Sequence, residues 1–228
     1  MILRRFMQHV KEQNWFAVGL DVIVVIVGIF LGMQVTEWNE SNKNQFKEEM
    51  VLQRLLVEFQ EAEIYLSDVI QDTGNKLESN KKLVNLLRNS GEIDNEEFKG
   101  IVGKTSGYSI PLKGSVTYAE LVASGELNLL SSDELRTALV SHHQYLDGRT
   151  DAHNTRWEVG RYDNVTFAKV LILSEFKDIN EILRDDIKLS DLQTLYGLTA
   201  LITEIELNNF RLTLKQVQEI LAILESKS

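Results

Sequence analysis

The sequence predicts an all-α protein: one N-terminal transmembrane helix that continues into a long helix, followed by an extracytoplasmic helical bundle. Three observations carry this expectation. The 228 residues include one Pro and 13 Gly, with many of the glycines between periodic segments, as long uninterrupted helices require. Apolar residues recur at three- and four-residue spacing, and no stretch alternates as a half-buried strand would. Finally, the 43% apolar fraction is unevenly spread, with one run near the N-terminus almost free of charge.

The same composition excludes several functions. With 24 Lys and Arg against 34 Asp and Glu, the formal charge is −10, the wrong sign for a chain that displaces counterions from phosphates. No nucleic-acid partner is therefore expected. The absence of Cys excludes disulfides, thiolate zinc sites and cysteine nucleophiles together.

Residues 1–14 form a short basic N-terminus with Arg4, Arg5 and Lys11 against Glu12 alone. Residues 15–36 form the span. Trp15 to Val35 reads WFAVGLDVIVVIVGIFLGMQV and carries one charge, Asp21. At 1.5 Å per residue it covers the roughly 30 Å hydrocarbon core of a bilayer. Trp15 and Trp38 bracket it at the depth where amphipathic rings favour headgroups. Leu31-Gly-Met-Gln-Val35 offers no small-residue cleavage site, so an uncleaved anchor is expected rather than a signal peptide. The Lys and Arg excess before the span predicts a cytoplasmic N-terminus. Residues 37–228 then lie outside, in the periplasm of a Gram-negative cell, with the protein in the inner membrane.

One face of the span is distinctive. At 100° per residue Ala17, Asp21, Gly28, Gly32 and Val35 cluster along a common line, while Ile23, Ile26, Phe30 and Met33 lie opposite. Gly28-Ile-Phe-Leu-Gly32 has the GxxxG spacing that lets two backbones approach closely in lipid. A carboxylate in mid-span costs about 2.5–3.5 kcal/mol on insertion scales. Asp21 is therefore expected to face a partner helix or a wet seam, protonated or hydrogen-bonded across the contact. A proton- or ion-handling role and snorkelling to the headgroups are the alternatives. The preferred expectation is self-association through this face.

After Trp38, Phe46, Met50, Leu52, Leu55, Leu56, Phe59, Ala62, Leu66 and Val69 form a helical stripe. Thr73, Lys76 and Asn80 interrupt it before Leu83 and Leu87 resume, which predicts one helix over 38–89, bent or frayed near Gly74 and stopped by Asn89-Ser-Gly91. Glycines make 91–115 a plain connection. GIVGKTSGYS lacks the GxxxxGK[ST] spacing of a phosphate loop. Tyr118, Leu121 and Val122 line a short helix ended by Gly125, and Leu127, Leu129 and Leu130 then cross the core. Ser131-Ser-Asp-Glu134 reads as a capping box for a helix carrying Leu135, Leu139 and Leu146. Further helices are expected over 159–176, around Val170 to Leu173, and over 178–187. Ser190-Asp191 caps a final helix with Leu195, Leu198, Ile202, Ile205, Leu212, Ile220 and Leu224 on one stripe, interrupted by Asn209. The matching polar interruptions favour antiparallel pairing of the two long helices.

The span ending GIFLGMQVTEWNE and the block TYAELVASGELNLLSSDELRTAL together resemble a group of uncharacterised bacterial single-span membrane proteins. Trp38-Asn39 and Tyr118, Leu121, Ser124, Gly125, Leu127, Leu135 and Arg136 carry the resemblance, which covers roughly residues 15–146. It implies an architecture, a single span followed by a helical domain, and no activity. Leu20-Asp-Val-Ile-Val-Val-Ile-Val27 is also similar to the spans of proton-driven stator subunits of the ExbD, TolR and MotB type. That likeness implies a proton-binding role for Asp21. Those proteins, however, have mixed α/β periplasmic domains.

Chemistry-bearing residues are sparse. Among four histidines, His143 stands with Asp147 and Asp151 at helical spacing, a pattern met more often on solvated helix faces than at metals. No metal or cofactor is expected, and Ser/His/Asp arrangements lack a strand–turn–helix context. Arg149, His153, Arg156, Trp157, Arg161 and Tyr162 form a polar-aromatic patch that could meet a ligand or partner. The combined expectation is a membrane-anchored, self-associating structural or interaction protein without enzymatic activity. Its partners are the bilayer, copies of itself and another membrane protein. The alternatives are a stator-like subunit using Asp21 and a periplasmic ligand-sensing module.

Overall fold

The computed structural model describes residues 15–89, 91–105, 113–149, 178–180, 184 and 186–227. Among these, every regular element is helical. The helices are α1 (Trp15–Arg88), α2 (Asn95–Thr105), α3 (Val116–Ser124), a helix α4 over 133–149, and α5 (Asp186–Glu225), with a 3₁₀ turn at Leu127–Leu129. The chain divides into two compact units, Met1–Val51 and Leu52–Ser228, and α1 contributes to both. The expected span and the helix expected after it are thus one uninterrupted element of 74 residues, with no break at Gly74.

In the first unit, α1 carries the one stretch among the described residues that is long and apolar enough to cross a membrane. Its mean hydropathy is 2.1 and none of that window is buried. Phe46 and Met50, expected on the core stripe, are exposed here.

In the second unit, α1 and α5 run antiparallel. Gln218 Nε2 donates to Glu63 Oε1 at 2.8 Å, Asn80 Nδ2 meets Thr203 Oγ1 at 3.5 Å, and Gln193 Nε2 donates to the Leu87 carbonyl at 2.8 Å. Partner numbers fall on α5 as they rise on α1. Phe59, Leu66, Thr73, Asn80 and Leu87 repeat at seven-residue intervals and all are buried. On α5 Tyr196 and Thr203, and again Val217 and Leu224, keep the same spacing and are buried, with Phe210 between the two pairs only half-buried. A sustained seven-residue repeat is the spacing of a coiled-coil seam. Of the polar residues that interrupt the apolar stripe of α1, Thr73 and Asn80 therefore continue its seam, whereas Lys76 lies off it and pairs with Asp72 at 3.1 Å.

This corrects the expected stripe on α5. Leu198, Ile202, Ile205 and Leu212 are all more than two-fifths exposed, whereas Thr203 and Thr213 are buried. Burial of these threonines is inexpensive because each hydroxyl bonds back to the carbonyl four residues earlier: Thr203 to Thr199 at 2.7 Å and Thr213 to Asn209 at 2.9 Å. α5 also starts at Asp186, ahead of the expected Ser190-Asp191 cap, so it absorbs the end of the 178–187 segment. Ser190 and Asp191 sit on its exposed side while Leu192 is fully buried.

The connection expected over 91–115 contains α2. Asp94 caps it, with Oδ1 accepting from the N–H groups of Glu96 at 2.8 Å and Glu97 at 3.4 Å, and both glutamates favour the positive end of the helix. Phe98 and Ile101 turn inward while Gly100 and Gly103 stay on the exposed side, so the glycines cost propensity without breaking the helix. One apolar core joins Leu83 and Leu87 of α1, Ile93, Phe98, Ile101, Ile179, and Leu192 and Tyr196 of α5.

Toward the opposite end of the α1–α5 seam, Leu55, Phe59 and Leu66 of α1, Leu135, Leu139 and Leu146 of α4, and Val217, Ile220 and Leu224 of α5 are buried. α3 adds Tyr118 and Leu121, but Val122 is exposed, contrary to expectation. Gly125 ends α3 as expected, with φ 72°, and its N–H bonds to the Val122 carbonyl at 3.2 Å. Leu130 is buried and Leu127 and Leu129 only partly so. The cap of α4 falls on Ser132, one residue beyond the expected Ser131: its hydroxyl accepts from Leu135 N–H at 3.3 Å. Arg136 ties this turn to Asp133 and to the Leu130 carbonyl. The expected helix over 159–176 lies outside the described residues.

Candidate functional site

The described cavity of most chemical interest lies among α1, the lead-in to α3, and α4. Its volume is about 260 Å³, and Glu58, Phe59, Glu61, Ala62, Tyr65, Lys113, Gly114, Ser115, Val116 and His142 line it. On α1, positions 58, 61, 62 and 65 are one or two turns apart, so α-helical periodicity alone places them on one face.

Glu58 organises the upper wall. Its carboxylate accepts from Ser115 Oγ at 2.5 Å, Thr117 Oγ1 at 2.6 Å and Thr117 N–H at 3.2 Å. Ser115 in turn accepts from Tyr118 N–H at 3.0 Å as the N-cap of α3. α3 has no acidic residue in its first turn, so Glu58 supplies from α1 the negative charge that a helix N-terminus favours. Its charge is satisfied by the fold. Glu61 and Lys113 are exposed, and neither has an ion pair among the described residues.

His142 closes the inner wall. Its ring is tilted against Phe59 at 5.6 Å between centroids, and Nδ1 lies 3.0 Å from Gln216 Oε1 on α5. An amide oxygen only accepts, so Nδ1 carries the proton and Nε2 is left as an acceptor. Burial, reinforced by the neighbouring His143, pulls the His142 pKa below its ordinary 6.5, and the Gln216 bond opposes this only partly. Burial also raises the Tyr65 hydroxyl above its usual value.

His143 leans on Tyr118 at 5.0 Å and reaches Asp147 Oδ2 through Nε2 at 3.5 Å. A Cβ on Gly114 would stand 3.2 Å from His143 Nδ1, so the close approach of these two segments favours glycine there. Of the expected His143, Asp147 and Asp151 set, the first two do meet and the third lies outside the described residues. Among the described residues no three His, Asp or Glu side chains converge to hold a metal.

The face expected to mediate self-association keeps its register because α1 is unbroken from Trp15. Asp21, Gly28, Gly32 and Val35 remain on one side. Asp21 is partly buried and Val35 exposed, and the side chain of Ala17 lies outside the described set. A Cβ added at Gly28 or Gly32 would meet no atom within 4 Å, so this backbone surface is open. Thr36 Oγ1 donates to the Gly32 carbonyl at 3.0 Å and spends its polarity within the helix.

Of the polar-aromatic patch only Arg149 is described, and its guanidinium stacks over the Tyr145 ring at 4.9 Å. His153, Arg156, Trp157 and Arg161 lie outside the described residues. The pocket itself was not among the expected sites. Its one sequence signal is Ser115 standing just before the periodic run of α3, a cap position that draws attention to whatever faces it.

A family model described as a family of unknown function, DUF6090, matches residues 21–150, which include most of the apolar stretch of α1, the pocket and α4. No curated protein and no solved structure gives a significant match. The match does not connect the span with stator subunits. The helical, strand-free described residues of 52–227 likewise differ from the mixed α/β periplasmic domains of that class.

Proposed function

We propose that this chain, which belongs to the DUF6090 family, is a membrane-anchored, self-associating interaction protein without enzymatic activity of its own. In this reading it sits in the bacterial inner membrane with residues 1–14 in the cytoplasm and the helical bundle in the periplasm. The carrying observation is the apolar stretch of α1, with mean hydropathy 2.1 and no buried share. Such a surface is stable in hydrocarbon and prone to aggregate in water. The open backbone at Gly28 and Gly32 supports pairing of spans, because close approach is what drives helix association in lipid. Asp21 on the same face would then be shielded from lipid by the partner helix.

The chain lacks cysteine, so single-cysteine variants give a clean assay. Disulfide crosslinking in membranes should be strong for Gly28→Cys and weak for Phe30→Cys on the opposite side. Equal yields, or recovery of the wild-type protein in the soluble fraction, would overturn the proposal. An energy-coupling role for Asp21 requires a different result: Asp21→Asn abolishing activity while crosslinking at position 28 survives.

A further inference from the structure

We propose that the pocket between α1, the α3 lead-in and α4 binds a small zwitterion with an apolar side group, of the size and kind of a hydrophobic amino acid. The ligand ammonium would sit toward Glu61 and its carboxylate toward Lys113. This goes beyond the anchoring and self-association proposed above and does not depend on them.

Volume sets the scale. Sites for drug-sized ligands run to roughly 300–1,000 Å³. At about 260 Å³ this pocket suits something smaller. Its floor and sides are apolar or aromatic, from Phe59, Ala62, Tyr65 and Val116. Val116 is 63% exposed at the mouth, an apolar side chain left without cover among the described residues. A purely polar ligand would leave these walls unsatisfied.

Charge sets the chemistry. Of the two carboxylates, Glu58 is fully engaged with the N-terminus of α3, so it anchors the wall and is unavailable to a ligand. Glu61 stands one turn further along the same helix face and is exposed. Lys113 approaches on a different segment and is also exposed. No salt bridge among the described residues joins these two opposite charges, although both line one cavity. A ligand carrying both charges would engage each of them, whereas a simple anion or cation would meet one attractive and one repulsive group. His142 also lines the cavity, with its Nδ1–H committed to Gln216 Oε1. Phe59 and Tyr65 line the cavity, and aromatic rings attract an ammonium group that lies over them. Nucleotides and other polyanions fit poorly beside two glutamates, and the described side chains supply no metal site.

The test is isothermal titration of the full chain in detergent micelles with L-leucine and L-phenylalanine. Two single-charge analogues of leucine accompany them: isopentylamine, which lacks the carboxylate, and 4-methylpentanoate, which lacks the ammonium. At least one amino acid should bind saturably, with each analogue about tenfold weaker or more, the loss of one good charged contact. Lys113→Ala should bring amino acid and amine to the same affinity. Glu61→Gln should do the same for amino acid and acid. Both positions are exposed and without ion pairs among the described residues, so the variants keep the fold, and an unchanged circular dichroism melt verifies this. Absence of saturable heat from both amino acids up to about 10 mM, a weak affinity by any standard, overturns the proposal. So does analogue binding as tight as that of the parent, or amino-acid binding unchanged in both variants.

Discussion

Asn180 grips the backbone of Ile93 from both sides: its Oδ1 accepts the Ile93 N–H at 3.0 Å and its Nδ2 donates to the Ile93 carbonyl at 2.9 Å. The clamp is reciprocal, because Asn95 Oδ1 accepts the N–H of Ile179 at 3.1 Å. Both isoleucines belong to the core that α2 completes between α1 and α5. Segments far apart in sequence are thus fixed by backbone groups, whose partners do not depend on side-chain identity at 93 or 179.

Asn180→Ala should therefore destabilise the domain by about 1–3 kcal/mol, the cost of leaving a half-buried N–H and C=O unsatisfied. Urea denaturation followed by circular dichroism measures it. Asn180→Asp keeps the acceptor but sets a carboxylate oxygen against the Ile93 carbonyl and Asp178 Oδ1, both of which Nδ2 now serves at 2.9 Å, so its loss should be at least as large. If both variants melt with the wild type, solvent replaces these bonds without penalty and the clamp is ornamental.

Glu58→Ala should cost about 1–2 kcal/mol, because Ser115, Thr117 and the N-terminus of α3 lose their common acceptor. Glu58→Gln keeps an acceptor oxygen and removes the charge. Its loss should be nearer the roughly 0.3–1 kcal/mol of a charge at a helix end. Thermal melts of the two variants separate hydrogen bonding from charge.

Asn80 is fully buried at a seam position, and its Oδ1 meets no donor among the described residues. Asn80→Leu should raise stability by about 1–3 kcal/mol by removing that orphaned acceptor and matching the apolar repeat. Asn80→Ala should lower it, since a cavity replaces the amide. A destabilised Asn80→Leu would mean that the Thr203 contact matters more to the seam than the unpaired oxygen. The retained asparagine would then act as a register pin, as buried polar residues do in some coiled coils.

How legible the fold was follows from where its polar residues went. The helical class, the end of α3 at Gly125 and the antiparallel pairing were all readable, because each rests on a local periodicity or a local backbone requirement. The seam of α5 was not. Ranking faces by hydrophobicity selects Leu198, Ile202, Ile205 and Leu212, whereas the buried face runs through Tyr196, Thr203, Thr213 and Val217. A threonine that bonds to its own helix is apolar in effect, and the sequence does not show which threonines do so. α2 was hidden by its glycines, which suppress propensity but lie on the exposed side. The pocket was hidden for a third reason: its walls come from three separate segments, and only packing brings Glu58 to Ser115 and His142 to Gln216.

His142 gives the domain a defined response to acid. Its ring is held between Phe59 and Gln216, where burial favours the neutral form and keeps its pKa below the ordinary 6.5. In the unfolded chain the same group titrates near 6.5, so below that pH the unfolded state takes up a proton that the folded state resists. The stability linked to His142 is therefore fully present above pH 6.5 and is lost as the pH falls from there toward the folded value. Protonation would also set a positive charge beside His143, whose Nε2 faces Asp147 Oδ2 at 3.5 Å. Melting temperatures from pH 8 down to pH 5 should fall for the wild type. They should fall less for His142→Gln, which has no proton to gain. The slope should remain in His143→Gln, whose ring lies outside the pocket, though reduced by the missing repulsion. Parallel slopes in wild type and His142→Gln would place the acid sensitivity elsewhere.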